Sequence, residues 1–157
     1  MSIRAFQPSD AQQIADLFQR SVIELGRKFY TQEQVEAWAA RGPTAQSVIS
    51  RNAAHRLTFV YTISSGDVAA YAELEPDGHI DQVYALPEIA GTGTVSALYD
   101  HVENKAEKLG IKKLYTEASE SARRFFLKKN FVEYGRRDFE IEGVSIHNYS
   151  MEKILQF

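Results

Sequence analysis

The chain has 157 residues and a formal net charge of −3, and 44% of its residues are hydrophobic while 25% are charged. These values are ordinary for a globular protein of single-domain size, so we expect one domain over residues 1–157, and the slight acidic excess argues against nucleic acid as a partner. The absence of cysteine excludes disulfides, thiol nucleophiles and the common zinc cages, and four scattered histidines offer little to a metal ion, so no metal site is predicted.

The first third of the chain is predicted to form one strand followed by three helices. Residues 2–6 favour a short strand, and residues 9–12 match a capping box that opens a helix ending near Gly26. Residues 31–34 repeat the capping pattern before a second helix, and residues 44–54 favour a third. The opening segment lacks the apolar core of a signal peptide, and no run reaches membrane-spanning length, so we expect a cytoplasmic protein with no membrane partner.

Three strands follow in direct succession. Residues 57–63 are rich in β-branched and aromatic side chains, and strands are also predicted at residues 68–75 and 79–86. The connections are tight turns that contain Gly66 and Gly78. Because parallel neighbours need a long crossover, strands joined by such turns must be antiparallel.

A glycine turn leads from the third strand into a long amphipathic helix. Gly91 and Gly93 precede apolar residues at three- and four-residue spacing, beginning with Val95 and Leu98. A strand that feeds such a turn into a helix leaves unpaired backbone N–H groups at the positive end of the helix dipole. Those donors suit an anion such as phosphate.

Two nucleotide-binding alternatives compete for this turn. A P-loop would need a lysine at the helix start, but the first lysine after the turn is Lys105. A dinucleotide-binding fingerprint could use Ser96 as its third small residue and Glu117 as its acidic residue. That fold demands alternating strands and helices around a parallel sheet, which the three antiparallel strands forbid.

The remainder of the chain completes a layered architecture. After the long helix the sequence predicts a strand at 112–117, a helix at 122–130 and strands at 132–141 and 144–151. Gly110 caps the long helix, and Ser119 or Ser121 caps the short one. The strands on either side of the long helix are parallel because a crossover joins them. We therefore predict an α+β fold (α/β three-layer), with a mixed, mostly antiparallel central sheet of about seven strands and helices on both faces.

Three stretches of sequence carry a resemblance to a known family. They are GHIDQVYALPEIAGTGTVSALYDHVENKAEKLG, ASESARRFFLKKNF and the opening IRAFQPSDAQQIADLF. These stretches resemble the acyl-CoA-binding motif, the helix that follows it, and the first strand and helix of the GNAT superfamily of acetyl-CoA-dependent N-acetyltransferases. The resemblance covers essentially the whole chain, and SIHNYSMEK and FYTQEQVEAWA are similar to an uncharacterised bacterial subgroup.

The resemblance implies a GNAT-like acyl-CoA acyltransferase fold and the transfer of an acetyl group from acetyl-CoA directly to a primary amine, with CoA as product. The acceptor would be a small molecule or a protein amine, bound together with acetyl-CoA in a ternary complex. Family members are often dimers, so the resemblance is compatible with a homodimer. The alternative is a CoA-binding regulatory module that has lost its chemistry, for which Ala90, Val95 and Phe126 are the evidence.

The cofactor loop departs from the family pattern at two positions. The family reads Gln/Arg-x-x-Gly-x-Gly/Ala, and residues 90–95 keep the middle glycine as Gly93 but carry Ala90 and Val95 at the ends. Backbone N–H groups do most of the pyrophosphate binding, so the lost side-chain support does not remove the site. The resemblance implies cofactor contacts from Val83, Tyr84, Ala85, Ala90, Gly91, Thr92, Gly93, Thr94, Val95, Ser119, Phe126 and Lys129.

Acetyl transfer to an amine needs a neutral amine, a stabilised oxyanion and a proton for the departing thiolate. An alkylammonium has a pKa of about 10.4, so a base or a desolvating pocket must deprotonate it. His79 and Asp81 alternate onto one face of a strand, and His79 stands where the resemblance places a glutamate base. Asp81 would act through water or orient the imidazole. The resemblance places the oxyanion donor among the backbone N–H groups of residues 83–85.

The proton donor for the thiolate must differ from that of many family members. They use a tyrosine at the position that is Phe126 here, and phenylalanine has no proton to give. Tyr149, Tyr84 or a water would substitute, or the thiolate would leave unassisted. We take Tyr149 as the candidate, alongside Asp81 and His79 as the other predicted catalytic residues.

The resemblance places the acceptor between the first helices and the last hairpin. The predicted wall residues are Phe29, Tyr30, Trp38, Glu73 and Asn148. Because Glu73, Glu75 and Asp81 are acidic and close together, we expect a cationic amine.

Overall fold

The computed structural model describes residues 2–156, and every predicted strand and helix is present in that range. In chain order the elements are β1 (Ser2–Ala5), α1 (Ala11–Gly26), α2 (Gln32–Ala40), α3 (Ala45–Ala53), β2 (Leu57–Thr62), β3 (Val68–Leu74), β4 (Ile80–Ala85), α4 (Thr94–Lys108), β5 (Lys113–Ala118), α5 (Glu120–Lys128), β6 (Val132–Ile141) and β7 (Val144–Ile154).

The helix starts follow the capping patterns in all but one case. Thr31 Oγ1 accepts from the N–H of Gln34 at 3.2 Å, and the Gln34 side chain accepts from the N–H of Thr31 at 2.9 Å, so the second capping box is confirmed. The box predicted at residues 9–12 is wrong. Those residues fall across a 3₁₀ turn and the start of α1, and the N-terminal cap is formed instead by Asp10, whose carboxylate accepts from the N–H of Gln7 at 2.8 Å and pairs with Arg4 at 2.8 Å.

The strands form two sheets, with the order β1-β2-β3-β4 in the first and β5-β7-β6 in the second. Every pairing within each sheet is antiparallel. Within residues 2–156 one parallel bridge, between His79 and Tyr115, joins the sheets, and Thr116 Oγ1 donates to the carbonyl of Ile80 at 2.8 Å. The predicted α+β class with mostly antiparallel strands is therefore confirmed, and β4 and β5 diverge beyond this junction.

Helices cover both faces of the first sheet. On β2, Phe59 belongs to one buried cluster with Leu98 of α4, while its neighbour Val60 belongs to another with Ile14 of α1. Side chains of adjacent strand residues point to opposite faces, so this alternation places α1 and α4 on opposite sides. All seven residues of β3 are buried, as expected for a central strand covered on both faces.

A β-bulge interrupts β4 at its start. Glu73 pairs with Gln82 and Leu74 pairs with Ile80, so Asp81 is the extra residue on the bulged strand. A bulge bends the strand locally and changes the direction of a side chain. Asp81 consequently lies at the point where β4 leaves β5.

Candidate active site

Two adjoining cavities open where β4 and β5 diverge. The smaller cavity, of about 220 Å³, lies between the C-terminal part of α1, β4, the glycine turn before α4, and α5. The larger cavity, of about 330 Å³, lies among α2, β4, β5 and the β6–β7 hairpin. The residues that line both cavities, here called the shared wall, are Trp38, Val83, Tyr84, Ser119, Ala122 and Phe126. Molecules bound in the two cavities would meet at this wall.

The edge of β4 forms one side of the smaller cavity. Val83, Tyr84 and Ala85 line it, and on their other edge they pair with β3. Among residues 2–156, no strand pairs with the cavity-facing edge of β4 between Asp81 and Ala85. Backbone groups on that edge are therefore free to bond an extended ligand, as an added strand would.

The glycine turn closes the far end of the smaller cavity. Gly91 and Gly93 have φ values of 80° and 89°, and Gly93 is the N-cap residue of α4. Because a helix start leaves its first N–H groups without intrahelical acceptors, this turn presents donors and a positive dipole end. Ala90, Gly91 and Val95 line the cavity, and Ala90 is exposed.

The other predicted residues of this region lie outside the two cavities. Thr92 Oγ1 donates to the carbonyl of Ile89 at 2.6 Å, and Thr92 and Thr94 share a hydroxyl contact of 3.0 Å. Both hydroxyls therefore support the turn itself. Lys129 Nζ lies 2.8 Å from Asp100 on α4 and beside the ring of Tyr99.

The shared wall is largely apolar on the α5 side. Phe126 is 2% exposed and packs edge-on against Phe125 and Phe131 at centroid distances of 5.3 and 4.9 Å. Ser119 caps α5, with its hydroxyl accepting from the N–H of Ala122 at 3.2 Å. Phe126 thus supplies a hydrophobic surface where the resemblance leads one to expect a tyrosine.

The predicted acidic group is held by one arginine. Arg56 Nη1 lies 2.6 Å from Asp81 and 2.7 Å from Glu73, and Arg56 Nη2 lies 3.1 Å from Glu75. Glu73 has no exposed surface and also pairs with Arg51 at 2.7 Å. Asp81 lines the larger cavity, whereas Glu73 lines neither of the two. The carboxylates are therefore largely neutralised by cations.

His79 is bound on both ring nitrogens. Its Nε2 lies 2.7 Å from Glu117 and its Nδ1 lies 2.7 Å from Glu75, and the ring stacks on Tyr115 at 4.7 Å. The hydrogen bond to Glu117, followed by that to Glu75, raises the pKa of His79 from 6.5 to about 9 against the opposing effect of burial. The imidazole is thus a cation at neutral pH, and it lines neither cavity.

The two adjacent aromatics before α2 have different environments. Tyr30 is buried, lines the larger cavity and packs edge-on against Trp38 at 5.6 Å. Its hydroxyl donates to the carbonyl of His147 at 2.9 Å and accepts from the N–H of Glu120 at 2.8 Å. Phe29 is 49% exposed and lines neither cavity.

A carboxylate, an imidazole and a phenol meet beside the larger cavity. Glu120 Oε2 lies 2.5 Å from His147 Nε2 and accepts from the hydroxyl of Tyr149 at 2.9 Å. The hydrogen bond from His147, helped by Tyr149, lowers the pKa of Glu120, and the bond to Glu120 raises the pKa of Tyr149. His147 lines the larger cavity, whereas Tyr149 is buried and lines neither.

Sequence reasoning missed Glu120 and His147 as a pair. His147 stands in the quoted run SIHNYSMEK, and Glu120 follows the predicted cap Ser119, but their contact spans 27 residues. Asn148, predicted as a wall residue, does line the larger cavity, and its Oδ1 accepts from Arg137 at 3.2 Å.

Comparison with protein families bears on this site directly. The model of the acetyltransferase (GNAT) domain matches residues 27–153 of the chain. The chain belongs to the GNAT family of acetyltransferases. The recognition made from the sequence is confirmed, and the chain is an N-acetyltransferase by family.

Similar proteins agree with this assignment. An uncharacterised N-acetyltransferase, YafP of Escherichia coli (strain K12), is 26% identical over 151 residues, which cover 96% of this chain and 94% of that one. A crystal structure of a GCN5-related N-acetyltransferase from Rhodopseudomonas palustris has a TM-score of 0.88 at 32% identity, covering 98% and 95% of the two chains. The PaiA N-acetyltransferase of Thermoplasma acidophilum, in complex with coenzyme A, has a TM-score of 0.73 at 18% identity, covering 99% and 100%, and shares the fold. Within residues 2–156 the structure has no helix that is long and apolar enough to cross a membrane.

Proposed function

We propose that the protein transfers an acetyl group from acetyl-CoA directly to a primary amine of a small molecule or a protein, with both substrates bound in a ternary complex. The observation that carries this proposal is the shared wall between the two cavities. Two ligands that approach from opposite sides of Tyr84 and Phe126 can react without a covalent enzyme intermediate. The chain has no cysteine that could form a thioester with the acetyl group.

The smaller cavity is the proposed acetyl-CoA site. Its glycine turn offers the N–H groups and the helix dipole that a pyrophosphate needs, and the unpaired edge of β4 offers partners for the pantetheine amides. The T. acidophilum neighbour is a complex with coenzyme A, and a phosphinothricin acetyltransferase from Sinorhizobium meliloti with a TM-score of 0.77 is a complex with AcCoA. The thioester would lie at the shared wall.

The larger cavity is the proposed acceptor site. Tyr30, Trp38 and Asn148 line it, and they are the wall residues on which the proposal rests. Asp81 provides a negative charge at the entrance, although Arg56 offsets it. We therefore expect a primary amine attached to an apolar or aromatic group, bound as its ammonium form near Asp81.

The chemistry requires two proton transfers from the nitrogen. An ammonium must lose one proton before it attacks and a second as the amide forms, while the thiolate gains one. Asp81 is proposed to take the first proton through water, and Tyr149, which lines neither cavity, to supply the proton for the thiolate through water as well. The raised pKa of Tyr149 keeps its phenol protonated at neutral pH. A backbone N–H among residues 83–85 is the proposed oxyanion donor.

The test is a thiol-release assay with acetyl-CoA and a panel of aliphatic, aromatic, peptide and acidic amines. Initial rates at varied concentrations of both substrates should give intersecting double-reciprocal lines, as a ternary complex requires. Parallel lines, or an acetylated protein formed from acetyl-CoA alone, would overturn direct transfer. If calorimetry detects CoA binding but no amine turns over, the regulatory-module alternative replaces the enzyme.

A further inference from the structure

We propose that His147 is a further catalytic residue, whose Nδ1 takes a proton from the acceptor nitrogen while Glu120 positions the imidazole. The inference rests on the proposed function and assigns the second of the two protons that the nitrogen must lose. Neither residue was singled out by the family motifs, and the geometry alone points to them.

The hydrogen bonds define which nitrogen is available. His147 Nε2 lies 2.5 Å from Glu120 Oε2, and Nδ1 has no bonding partner within residues 2–156. Nδ1 is not buried, and His147 is one of the residues that line the larger cavity. A proton acceptor must have such access to its substrate.

The state of Glu120 determines the tautomer of His147. Glu120 is the first residue of α5, where the helix dipole favours a negative charge, and His147 and Tyr149 both lower its pKa. An ionised carboxylate can only accept, so the proton between the two groups sits on Nε2 of His147. In a neutral imidazole the lone pair is then on Nδ1, which is the arrangement of a carboxylate-oriented histidine base.

Neighbouring groups restrict the imidazole ring to this orientation. Tyr30 bridges the carbonyl of His147 and the N–H of Glu120, and so ties β7 to the start of α5. The rings of Tyr30 and Tyr149 lie 5.4 and 5.6 Å from the imidazole. The charged and titratable groups around His147 include Tyr30 before α2, Glu120 and Arg123 on α5, Tyr149 on β7, and, on β6, Arg136, Arg137 and the cross-strand partner Asp138.

His79 differs from His147 in the availability of its ring nitrogens. Both of its nitrogens are bound to carboxylates, so no lone pair is free. His147 has one carboxylate and one open nitrogen. The structure therefore separates a charged, structural histidine from one that can exchange a proton with a ligand.

The proposed step is balanced. The amine nitrogen bonds to the acetyl carbon, the C–S bond breaks, the nitrogen's second proton goes to His147 Nδ1, and the phenol proton of Tyr149 reaches the thiolate through water. The imidazolium and the tyrosinate share Glu120 as partner, and they return to their neutral forms by exchange through that carboxylate or solvent. The net result is a proton moved from nitrogen to sulfur.

The experiment compares His147→Gln with the wild type and with His55→Gln, which changes an exposed histidine. Glutamine can still donate to Glu120 but cannot act as a base. We expect kcat to fall roughly 100- to 10,000-fold, the KM for acetyl-CoA to change less than about twofold, and the acidic limb of the pH profile of kcat, where the base becomes protonated, to disappear. His55→Gln should match the wild type throughout. Glu120→Gln, a positioning change, should reduce kcat less and shift the limb.

A second measurement does not depend on activity. ¹⁵N NMR of the imidazole nitrogens should show the Nε2–H tautomer for His147 in the ligand-free protein. The inference is overturned if His147→Gln keeps the wild-type kcat and pH profile, or if Nδ1 carries the proton. A wild-type protein that acetylates no amine would instead overturn the proposed function, so the two failures are distinguishable.

Discussion

Arg56 Nη1 lies 2.7 Å from the carboxylate of Glu73, a side chain with no exposed surface. The same arginine holds Asp81 and Glu75, so one guanidinium connects the interior of the first sheet with the entrance of the larger cavity. A buried carboxylate is tolerated only when it is paired and fully bonded. Arg56 therefore has a structural role, and it also offsets the negative charge of Asp81, which lines the larger cavity.

Arg56→Met should destabilise the protein by about 3 kcal/mol, because it leaves the buried charge of Glu73 with Arg51 as its remaining partner. Urea unfolding measures the change. The matched control is Arg20→Met, which breaks half-exposed pairs with Glu24 and Glu88 and should cost less than about 1 kcal/mol. Equal losses in the two variants would contradict the buried-pair interpretation.

Gly93→Ala should weaken CoA binding. The position has a φ of 89°, and a Cβ there would meet nothing within 4 Å, so the cost is backbone strain of roughly 1–2 kcal/mol rather than a clash. If the turn relaxes in the free protein and must return on binding, affinity falls roughly 5- to 30-fold. Calorimetry with CoA checks this.

Gly66→Ala is the control for Gly93→Ala. Gly66 has a φ of 91° and equal free space, but it lies in the β2–β3 turn, whereas Gly93 is the N-cap of α4 in the proposed pyrophosphate turn. It should lose similar stability in thermal unfolding and keep wild-type CoA affinity. A similar loss of CoA affinity in both variants would show that backbone strain at any turn weakens CoA binding, and that the glycine turn has no special role in it.

Ala90→Arg should tighten CoA binding, because it places a cation at the exposed edge of the smaller cavity where the family carries glutamine or arginine. An exposed charge pair contributes about 0.2–1 kcal/mol, so we expect a gain of up to roughly fivefold at low salt that declines as salt rises. Ala97→Arg adds the same charge on the exposed face of α4 and should change affinity little. Identical gains would indicate a general charge effect.

The stability conferred by His79 should depend on pH. Its folded-state pKa of about 9 lies above the ordinary 6.5, so its contribution is complete below pH 6.5 and is lost as pH rises through 9. The difference in unfolding free energy between the wild type and His79→Gln should be larger at pH 6 than at pH 9.5. His55→Gln should show no such trend, and a difference independent of pH would refute the charged state of His79.

The element order could be predicted because it depends on local patterns. The turns at Gly66 and Gly78 and the cap at Thr31 are each encoded within a few residues. Ion pairs between side chains that are far apart in the sequence could not be predicted from such local patterns. All seven residues of β3 are buried, so alternation does not indicate that Glu73 faces Arg51 and Arg56 rather than a ligand.

In the candidate site, too, some residues could be predicted from local sequence patterns and others could not. Ala90, Gly91 and Asp81 could be placed at the cavities from their motifs, since each lies at a strand end or helix start. Glu120 and His147 could not be paired, because their contact depends on how β7 packs on α5. Phe29 and Tyr30 are adjacent aromatics, and only the tertiary packing decides that the second one is buried.

The shared wall also limits how the acceptor preference of such a protein can change. A substitution at Trp38, Tyr84 or Phe126 alters the surroundings of both ligands at once, so a new acceptor gained there is coupled to altered acetyl-CoA affinity. The β6–β7 hairpin lines only the larger cavity, through residues such as Phe139 and Asn148. Relatives that diversify in their acceptors while retaining the same acyl donor should therefore differ mainly in this hairpin.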